Sequence, residues 1–255
     1  MIKAPRPANA HRFVDQVAVV TGAAGGIGSA VAGRLAAEGA RVFVCDVSAE
    51  GAAAVAEQTG GEPLAFDLTD PAACAGAIAT VAERAGRVDV LVNNAGINRR
   101  GPLLELAEGD WSATYAVNVE ALVHLCRAVL PLMIEAGSGA IVNTASQWGL
   151  VPGPGHIAYN TSKAAVVSFT QSLARDYAPD GVRVNAVCPG EVRTPMLSSN
   201  LARTGRTLDD LNRLVPYGRI GEPEEVAALV AFLASDEAPY LCGACVEITG
   251  AQAVG

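Results

Sequence analysis

Short apolar runs alternate with longer alanine-rich segments along the whole chain, and this rhythm constrains the fold more than any other feature. Seven runs rich in β-branched residues have strand character, at 17–21, 41–46, 64–67, 88–92, 140–144, 182–187 and 245–249. Segments of helical length lie between them, at 29–38, 49–58, 71–85, 109–133, 158–177 and 224–234. Strands separated by helices of ten or more residues indicate repeated β-α-β units and a parallel sheet. Right-handed crossovers make such a sheet doubly wound, so the chain is predicted to be of the α/β class.

Nothing in the sequence divides the chain, since it has no linker, repeat or low-complexity stretch. We therefore expect one domain over 14–255, preceded by an N-terminal tail over 1–13. The polar region at about 195–216 fits the alternation least and is predicted to form a flap over a cleft.

Composition limits the partners and the location. With 51% hydrophobic and 17% charged residues, the chain is too apolar to remain disordered. Its formal net charge of −8 argues against a nucleic-acid partner, because the phosphate backbone repels an acidic surface. The sequence pattern predicts neither a secretory signal nor a membrane span, and we expect a cytoplasmic protein.

Six cysteines raise the question of a metal or redox site. Cys45, Cys126 and Cys188 lie in apolar contexts and are expected to be buried as small hydrophobic residues. Cys242 and Cys245 form a C-x-x-C pair, but no second pair or nearby His supplies the other two ligands of a zinc site. We predict no metal and reduced thiols.

A glycine-rich turn between the first strand and the first helix predicts a dinucleotide site. In the segment 21–28, Gly22, Gly26 and Gly28 let the backbone approach a pyrophosphate, and the following helix supplies amide donors. The second strand ends in Asp46, which is placed to accept both hydroxyls of a ribose and to repel a 2′-phosphate. No Arg or Lys lies in 21–28 or at Val47, so we predict NAD rather than NADP.

The spacing Thr21-Gly22-x-x-x-Gly26-x-Gly28 resembles that of the short-chain dehydrogenases/reductases. Further motifs of that family match in order along 14–250, and they are Asp67, Asn93-Asn94-Ala95-Gly96, Asn118, Ser146, Tyr159-x-x-x-Lys163 and Pro189-Gly190 with Thr194. The resemblance implies a Rossmann sheet of seven parallel strands in the order 3-2-1-4-5-6-7 with helices on both faces. It also implies a homotetramer.

The resemblance further implies a set of cofactor contacts, of which only the glycine turn and Asp46 also follow from local chemistry. Asp67 and Leu68 would meet the adenine, and Val192 and Thr194 the carboxamide. The full set is Gly22, Gly26, Ile27, Gly28, Asp46, Val47, Asp67, Leu68, Asn94, Ala95, Gly96, Tyr159, Lys163, Pro189, Gly190, Val192 and Thr194.

Tyr159 and Lys163 are four residues apart, so on a helix they share one face. A phenol ionises near pH 10, and lowering its pKa to about 7 takes roughly 4 kcal/mol. The Lys163 ammonium and a positive nicotinamide are the expected sources of that stabilisation. Tyr159 would then accept the alcohol proton while the substrate carbon gives hydride to the cofactor. The alternative is a solvated Tyr–Lys pair on a helix.

Family resemblance adds two members to the catalytic set. Ser146, at the end of the fifth strand, would hold the substrate oxygen, and Asn118 would hold a water beside Lys163. Without the resemblance, Ser146 is a turn residue and Asn118 a helical residue bonded to its own backbone.

Substrate contacts are expected after the fourth, fifth and sixth strands. Arg99, Arg100 and Arg193 are candidates for an anionic group, and Gln147 and His156 for hydroxyls. The alternative for each arginine is a solvated surface charge. The leading hypothesis is an NAD-dependent oxidoreductase of a secondary alcohol, namely a sugar, polyol or hydroxy acid. An acyl-carrier ketoacyl reductase and a noncatalytic dinucleotide-binding module are the alternatives.

Overall fold

Seven parallel strands form one sheet in the computed structural model, which describes residues 11–252. The strands run in the spatial order β3-β2-β1-β4-β5-β6-β7, as predicted. Their bounds are β1 Val17–Thr21, β2 Arg41–Asp46, β3 Glu62–Ala65, β4 Val90–Asn93, β5 Gly139–Thr144, β6 Val182–Pro189 and β7 Cys245–Ile248. The order reverses between β1 and β4, and ligands of such sheets bind at the carboxyl ends of the strands beside that reversal.

Helices cover both faces of the sheet. They are α1 Gly26–Ala37, α2 Ala49–Thr59, α3 Pro71–Ala85, α4 Glu108–Tyr115, α5 Ala121–Ala136, α6 Ile157–Tyr177, α7 Pro195–Thr204, α8 Leu208–Asn212 and α9 Pro223–Ala234. On β1, Ala18 and Val20 pack with α1, α2 and α9, whereas Val17 and Val19 pack with α3, α5 and α6. Both faces of β1 are therefore buried, which explains its continuous apolar run.

Several strand ends differ from the prediction by one or two residues, and at two of them a carboxylate hydrogen-bonds to the backbone. After β3, which ends at Ala65, the Asp67 carboxylate accepts hydrogen bonds from the N–H and hydroxyl of Thr69 in a tight turn. Before β4, which begins at Val90, the Asp89 side chain accepts the N–H of Val17. An alternation pattern does not register such local side-chain bonds.

The helix predicted over 109–133 is interrupted by a π-turn. Between α4 and α5 the segment Ala116–Glu120 forms a single π-helical turn, with Asn118 at its centre. By length and hydropathy the helical run Glu108–Ala136 could cross a membrane. Its apolar face instead packs on the sheet, where Leu125, Val129 and Met133 are buried.

The last two residues of the tail predicted over 1–13 pack against the domain. Phe13 is fully buried in the core, and Arg12 forms ion pairs with Glu38 and Glu237. These contacts attach residues 12 and 13 to the domain, and residues 1–10 of the predicted tail lie outside the described part of the chain.

The region predicted as a flap contains two helices, α7 and α8. Leu197, Leu211, Val215 and Ile220 pack together as a small separate core. Thr194 and Thr207 cap the two helices by accepting backbone N–H groups. The segment is therefore ordered by its own contacts rather than by the main core.

Candidate active site

Close backbone approach at the turn between β1 and α1 requires glycine. A Cβ at Gly28 would stand 2.1 Å from the Gly22 carbonyl oxygen and 2.6 Å from the side-chain nitrogen of Asn94. Gly22 has a φ of +62°, and a Cβ there would lie 2.7 Å from the Ala95 Cα. The turn therefore exposes backbone at the N-terminus of α1, where amide groups and the helix dipole suit a phosphate.

Asn94 fixes this turn to the end of β4. Its side-chain nitrogen donates to the carbonyl oxygens of Thr21 and Gly22, at 3.1 and 3.2 Å. The Thr21 hydroxyl in turn accepts the backbone N–H groups of Asn94 and Ala95. The two strands on either side of the order reversal are thus joined where a ligand would lie.

Asp46 is oriented by two backbone donors at the end of β2. Its carboxylate accepts the N–H of Ala24 and that of Ser48, each at 3.0 Å. It borders a cavity of about 440 Å³, the cofactor cavity, which is lined by Gly22, Ala24, Gly25, Gly26, Ile27, Asp46, Asn94, Ala95, Gly96, Thr144, Tyr159, Lys163, Thr194, Pro195 and Met196. Asp46 and the glycine turn fit a dinucleotide, since they join a carboxylate for ribose hydroxyls to exposed amide groups for the pyrophosphate.

Several residues expected to contact the cofactor do not line the cofactor cavity. Val47 is 73% exposed, and Asp67 and Leu68 follow β3 without lining the cofactor cavity. Three others, Pro189, Gly190 and Val192, line the adjoining cavity around Tyr159.

Ser146 and Tyr159 meet at the carboxyl end of β5. Ser146 follows the strand and caps a short turn by accepting the Trp148 N–H, at 3.2 Å. Its hydroxyl also hydrogen-bonds the Tyr159 phenol, which favours the phenolate. Burial is the larger influence, and together with the nearby Glu191 carboxylate it raises the pKa of Tyr159 to about 12. The Trp148 ring packs edge-on against Tyr159 with centroids 6.2 Å apart.

Lys163 is buried one helical turn after Tyr159. Its Nζ donates to the Thr144 carbonyl oxygen at 2.7 Å and lies 5.7 Å from the centre of the Tyr159 ring. Burial lowers the pKa of Lys163 to about 8, because desolvation disfavours the ammonium. Burial of the phenol is the largest influence on the pKa of Tyr159 and raises it, so the lowering expected from Lys163 is not the direction that the protein's own groups give.

The π-turn between α4 and α5 presents Asn118 toward the same place. Its side-chain oxygen accepts the Ile97 N–H at 2.8 Å, and its nitrogen donates to the Ile97 carbonyl and to the Ser162 hydroxyl. A Cβ at Gly96 would stand 3.3 Å from the Asn118 oxygen and 3.4 Å from Lys163 Nζ. The side chains of Asn118 and Lys163 therefore both lie next to Gly96. Turns of π-helix often occur at functional sites.

Ser146 and Tyr159 open into a cavity of about 130 Å³, the reaction cavity. It is lined by Ile27, Asn98, Arg100, Thr144, Ala145, Ser146, Gln147, Trp148, Tyr159, Pro189, Gly190, Glu191, Val192, Thr194, Met196 and Leu197. A second cavity of about 420 Å³, the outer cavity, is lined by Arg100, Trp148, Pro154, His156, Glu191, Leu201, Arg206 and Leu211. Arg100, Trp148 and Glu191 belong to both.

The five expected substrate residues separate into two groups. Arg100, Gln147 and His156 line one or both cavities, and His156 Nδ1 lies 3.1 Å from the Asn98 side-chain oxygen. The other two line neither cavity: Arg99 pairs with Asp110 at 3.4 Å, and Arg193 with Glu222 at 3.0 Å. Their side chains are 54% and 48% exposed, so the expected cluster of three arginines around the nicotinamide position does not form.

The structure adds side-chain contacts near the site that the sequence did not predict. Asn93 donates to Asn143, and Asn143 donates to Thr170, which joins β4, β5 and α6 through buried side chains. Glu191 lies in the wall shared by the two cavities. Polar residues within otherwise apolar strands were the available signal for Asn143, whereas the position of Glu191 depends on where the chain turns after β6.

The chain is similar to known proteins that are named as dehydrogenases and reductases. A family model described as Enoyl-(Acyl carrier protein) reductase matches residues 22–250. D-threitol dehydrogenase of Mycolicibacterium smegmatis is 43% identical over 95% of both chains. The 3-oxoacyl-[acyl-carrier-protein] reductase FabG of Thermotoga maritima is 38% identical over 94% of this chain and 98% of its own. Among solved structures, Levodione Reductase superposes with a TM-score of 0.89 at 36% identity, covering 94% of this chain and 98% of the other.

Proposed function

Because this chain belongs to the short-chain dehydrogenase/reductase family, as an oxidoreductase acting on CH–OH groups, we propose that it oxidises a sugar, polyol or hydroxy acid at a secondary carbinol with NAD. The observation that carries the proposal is the placement of Ser146, Tyr159 and Lys163 between the reaction cavity and a cofactor cavity bordered by Asp46.

The choice of NAD rests on the charge at the end of β2. Asp46 presents a carboxylate where the adenosine ribose would lie, and it would repel a 2′-phosphate. Among the residues that line the cofactor cavity, the one basic side chain is Lys163, near the end of β5. Strands β2 and β5 are three places apart in the sheet, or roughly 14 Å at about 4.8 Å per step. Lys163 therefore does not offset Asp46.

In this proposal, different residues of the chain bind the carbinol, accept its proton and pass the proton on. When bound, NAD supplies the hydride acceptor and a positively charged ring beside the phenol. Ser146 and Tyr159 hold the carbinol oxygen, and Tyr159 accepts its proton as the carbon–hydrogen bond breaks. Moving the Tyr159 pKa from about 12 to about 7 corresponds to roughly 7 kcal/mol. Lys163, with its lowered pKa, and Asn118 form the path along which the proton leaves Tyr159.

Cofactor choice provides the first prediction. Asp46→Ala should weaken NAD binding by about 1–3 kcal/mol, roughly 5- to 150-fold, through the loss of charge-assisted hydrogen bonds. NADP binding should weaken less or improve, because the repelling charge is gone. Fluorescence titration of both cofactors measures this, with Asp176→Ala, a change at an exposed carboxylate of α6, as the matched control. Tighter binding of NADP than of NAD by the unaltered protein would refute the proposal.

The acyl-carrier ketoacyl reductase is the second candidate, since the Thermotoga relative is named as a 3-oxoacyl-[acyl-carrier-protein] reductase. The two functions are separated by one comparison of specificity constants. Oxidation of a polyol with NAD should exceed reduction of an acetoacetyl thioester with NADPH. The reverse order would establish the ketoacyl reductase and overturn the proposed function.

We also propose that the chain works as a homotetramer in the cytoplasm, with a small-molecule substrate and neither nucleic acid nor membrane as partner. Apolar side chains on α4 and α5 support an assembly, since Trp111 is 37% and Ile134 39% exposed. Such side chains are commonly covered by a symmetry-related copy. Light scattering at micromolar concentration should give about four times the chain mass of 26.0 kDa, and a mass near one chain would contradict the tetramer.

A further inference from the structure

Glu191 is a carboxylate in the wall shared by the reaction and outer cavities. Backbone contacts with Gly221 fix the position of Glu191. The Glu191 carbonyl oxygen accepts the Gly221 N–H at 2.9 Å, and Val192 forms a β-bridge with Gly221. The side chain is close enough to Tyr159 to oppose ionisation of the phenol. A substrate whose carbinol reaches Tyr159 therefore lies in a cavity that Glu191 also lines.

Two arginines line the outer cavity together with Glu191, and they are Arg100, which follows β4, and Arg206, between α7 and α8. Burial raises the pKa of Glu191, and the charges of the two arginines act against that rise. An anionic substrate would place a second negative charge beside Glu191. The two arginines are therefore the partners of an existing carboxylate rather than a site prepared for an incoming one.

Gln147 is a second polar residue in the lining of the reaction cavity. It is 3% exposed, and its side-chain oxygen is buried without a hydrogen-bond partner among the described residues. Its nitrogen donates to the Gln252 side chain at 3.3 Å. A buried acceptor left unpaired costs about 1–3 kcal/mol, so a ligand that donates a hydrogen bond to it gains affinity.

We propose that Glu191 accepts hydrogen bonds from substrate hydroxyls beyond the reacting carbinol and, with Gln147, selects a neutral polyol. This inference rests on the proposed function and narrows it. A polyol offers O–H donors on the carbons next to the reacting one. A hydroxy acid offers a carboxylate, and a ketoacyl thioester offers acceptors at those positions. Neither gives Glu191 or Gln147 an O–H donor at those positions.

Cavity size agrees with a substrate longer than the reacting group. The reaction cavity, at about 130 Å³, is smaller than the 300–1,000 Å³ usual for ligand pockets. The outer cavity adds about 420 Å³ directly past Glu191. A polyol of four or more carbons would therefore extend along the carboxylate.

The test compares three alcohols with NAD in the unaltered protein and in Glu191→Gln and Glu191→Leu. The alcohols are threitol, 2-butanol, which keeps one hydroxyl, and 3-hydroxybutanoate. Unaltered protein should prefer threitol to both others in kcat/KM. Each substitution should lower the threitol-to-butanol ratio by about 10- to 100-fold, the equivalent of one hydrogen bond to a charged group, and mainly through KM because binding rather than chemistry is lost.

Controls separate the outcomes. Glu57→Gln removes the same charge from the exposed face of α2 and should leave the ratio unchanged, and NADH binding by fluorescence shows whether each variant is folded. Preference of the unaltered protein for 3-hydroxybutanoate or 2-butanol would overturn the inference without any variant. An unchanged ratio in folded Glu191 variants would overturn it as well. Absence of NAD reduction with all three alcohols would instead count against the proposed function.

Discussion

Replacing Tyr159 by Phe should lower turnover by at least the 10²- to 10⁴-fold that general acid–base catalysis contributes. The substitution keeps the ring that packs against Trp148 and removes the hydroxyl that hydrogen-bonds Ser146 and would accept the proton. The affinity for NAD should change little, because the glycine turn and Asp46 are untouched. Steady-state kinetics with a polyol, together with NAD titration, measure both effects.

The pH dependence of the same reaction provides the control. Alcohol oxidation needs the deprotonated phenol, so the rate of the unaltered protein should rise with pH until Tyr159 is ionised in the complex. Since the protein's own groups, burial foremost, place the pKa of Tyr159 at about 12, the bound cofactor must shift this rise in rate to lower pH. The residual activity of Tyr159→Phe should not show this rise with pH. If the activity of Tyr159→Phe stayed within tenfold of the parent and still rose with pH, another residue would have to take the proton.

Gly28→Ala should abolish cofactor binding and destabilise the protein. The added Cβ would stand 2.1 Å from the Gly22 carbonyl oxygen, so the turn or α1 must move. Overpacking of this kind typically costs 1–3 kcal/mol, and more where backbone shifts. We expect more than about 3 kcal/mol from denaturant unfolding, and no measurable NAD binding in the fraction that folds.

Gly76→Ala is the matched control for that substitution. Gly76 lies within α3, and a Cβ there would meet no atom within 4 Å. The same change should stabilise the protein by about 0.5–1 kcal/mol, because alanine favours helix and narrows the unfolded ensemble. Equal effects at the two positions would show that the close approach at Gly28 does not exist.

The sequence predicted the sheet and its order because the alternation of apolar runs and helical segments persists through the whole chain. The glycine turn and Asp46 were predictable because both belong to one strand–turn–helix–strand unit. Tyr159 and Lys163 were predictable for a similar reason, since their spacing on one helix determines their relation. In each case the chemistry depends on residues close in sequence.

The substrate end was less predictable, because it depends on segments that meet only in three dimensions. Arg99, Arg100 and Arg193 looked equivalent in the sequence. The structure separates them, since Asp110 and Glu222 hold the first and third outside the cavities, while Arg100 lines both. Glu191 lines both cavities with Arg100 across a large sequence separation, and no local pattern indicates that the two residues come together.

The π-turn at Asn118 shows the same limit on a smaller scale. A continuous helical pattern over 109–133 gives no sign that one extra residue is inserted at Ala116–Glu120. The insertion follows from tertiary contacts, since Asn118 bonds the Ile97 backbone and the Ser162 hydroxyl. Side chains that serve distant segments override the regular period of a helix.

The most direct test of the proposed dehydrogenase activity is whether hydrogen from the carbinol carbon of the substrate appears in NADH. Threitol carrying deuterium on its secondary carbinol carbons is incubated with the protein and NAD, and the reduced cofactor is analysed by mass spectrometry. The account predicts NADH that contains one deuterium per molecule formed, with Tyr159→Phe producing almost none. Failure of the unaltered protein to reduce NAD with any polyol, or NADH formed without deuterium, would contradict it.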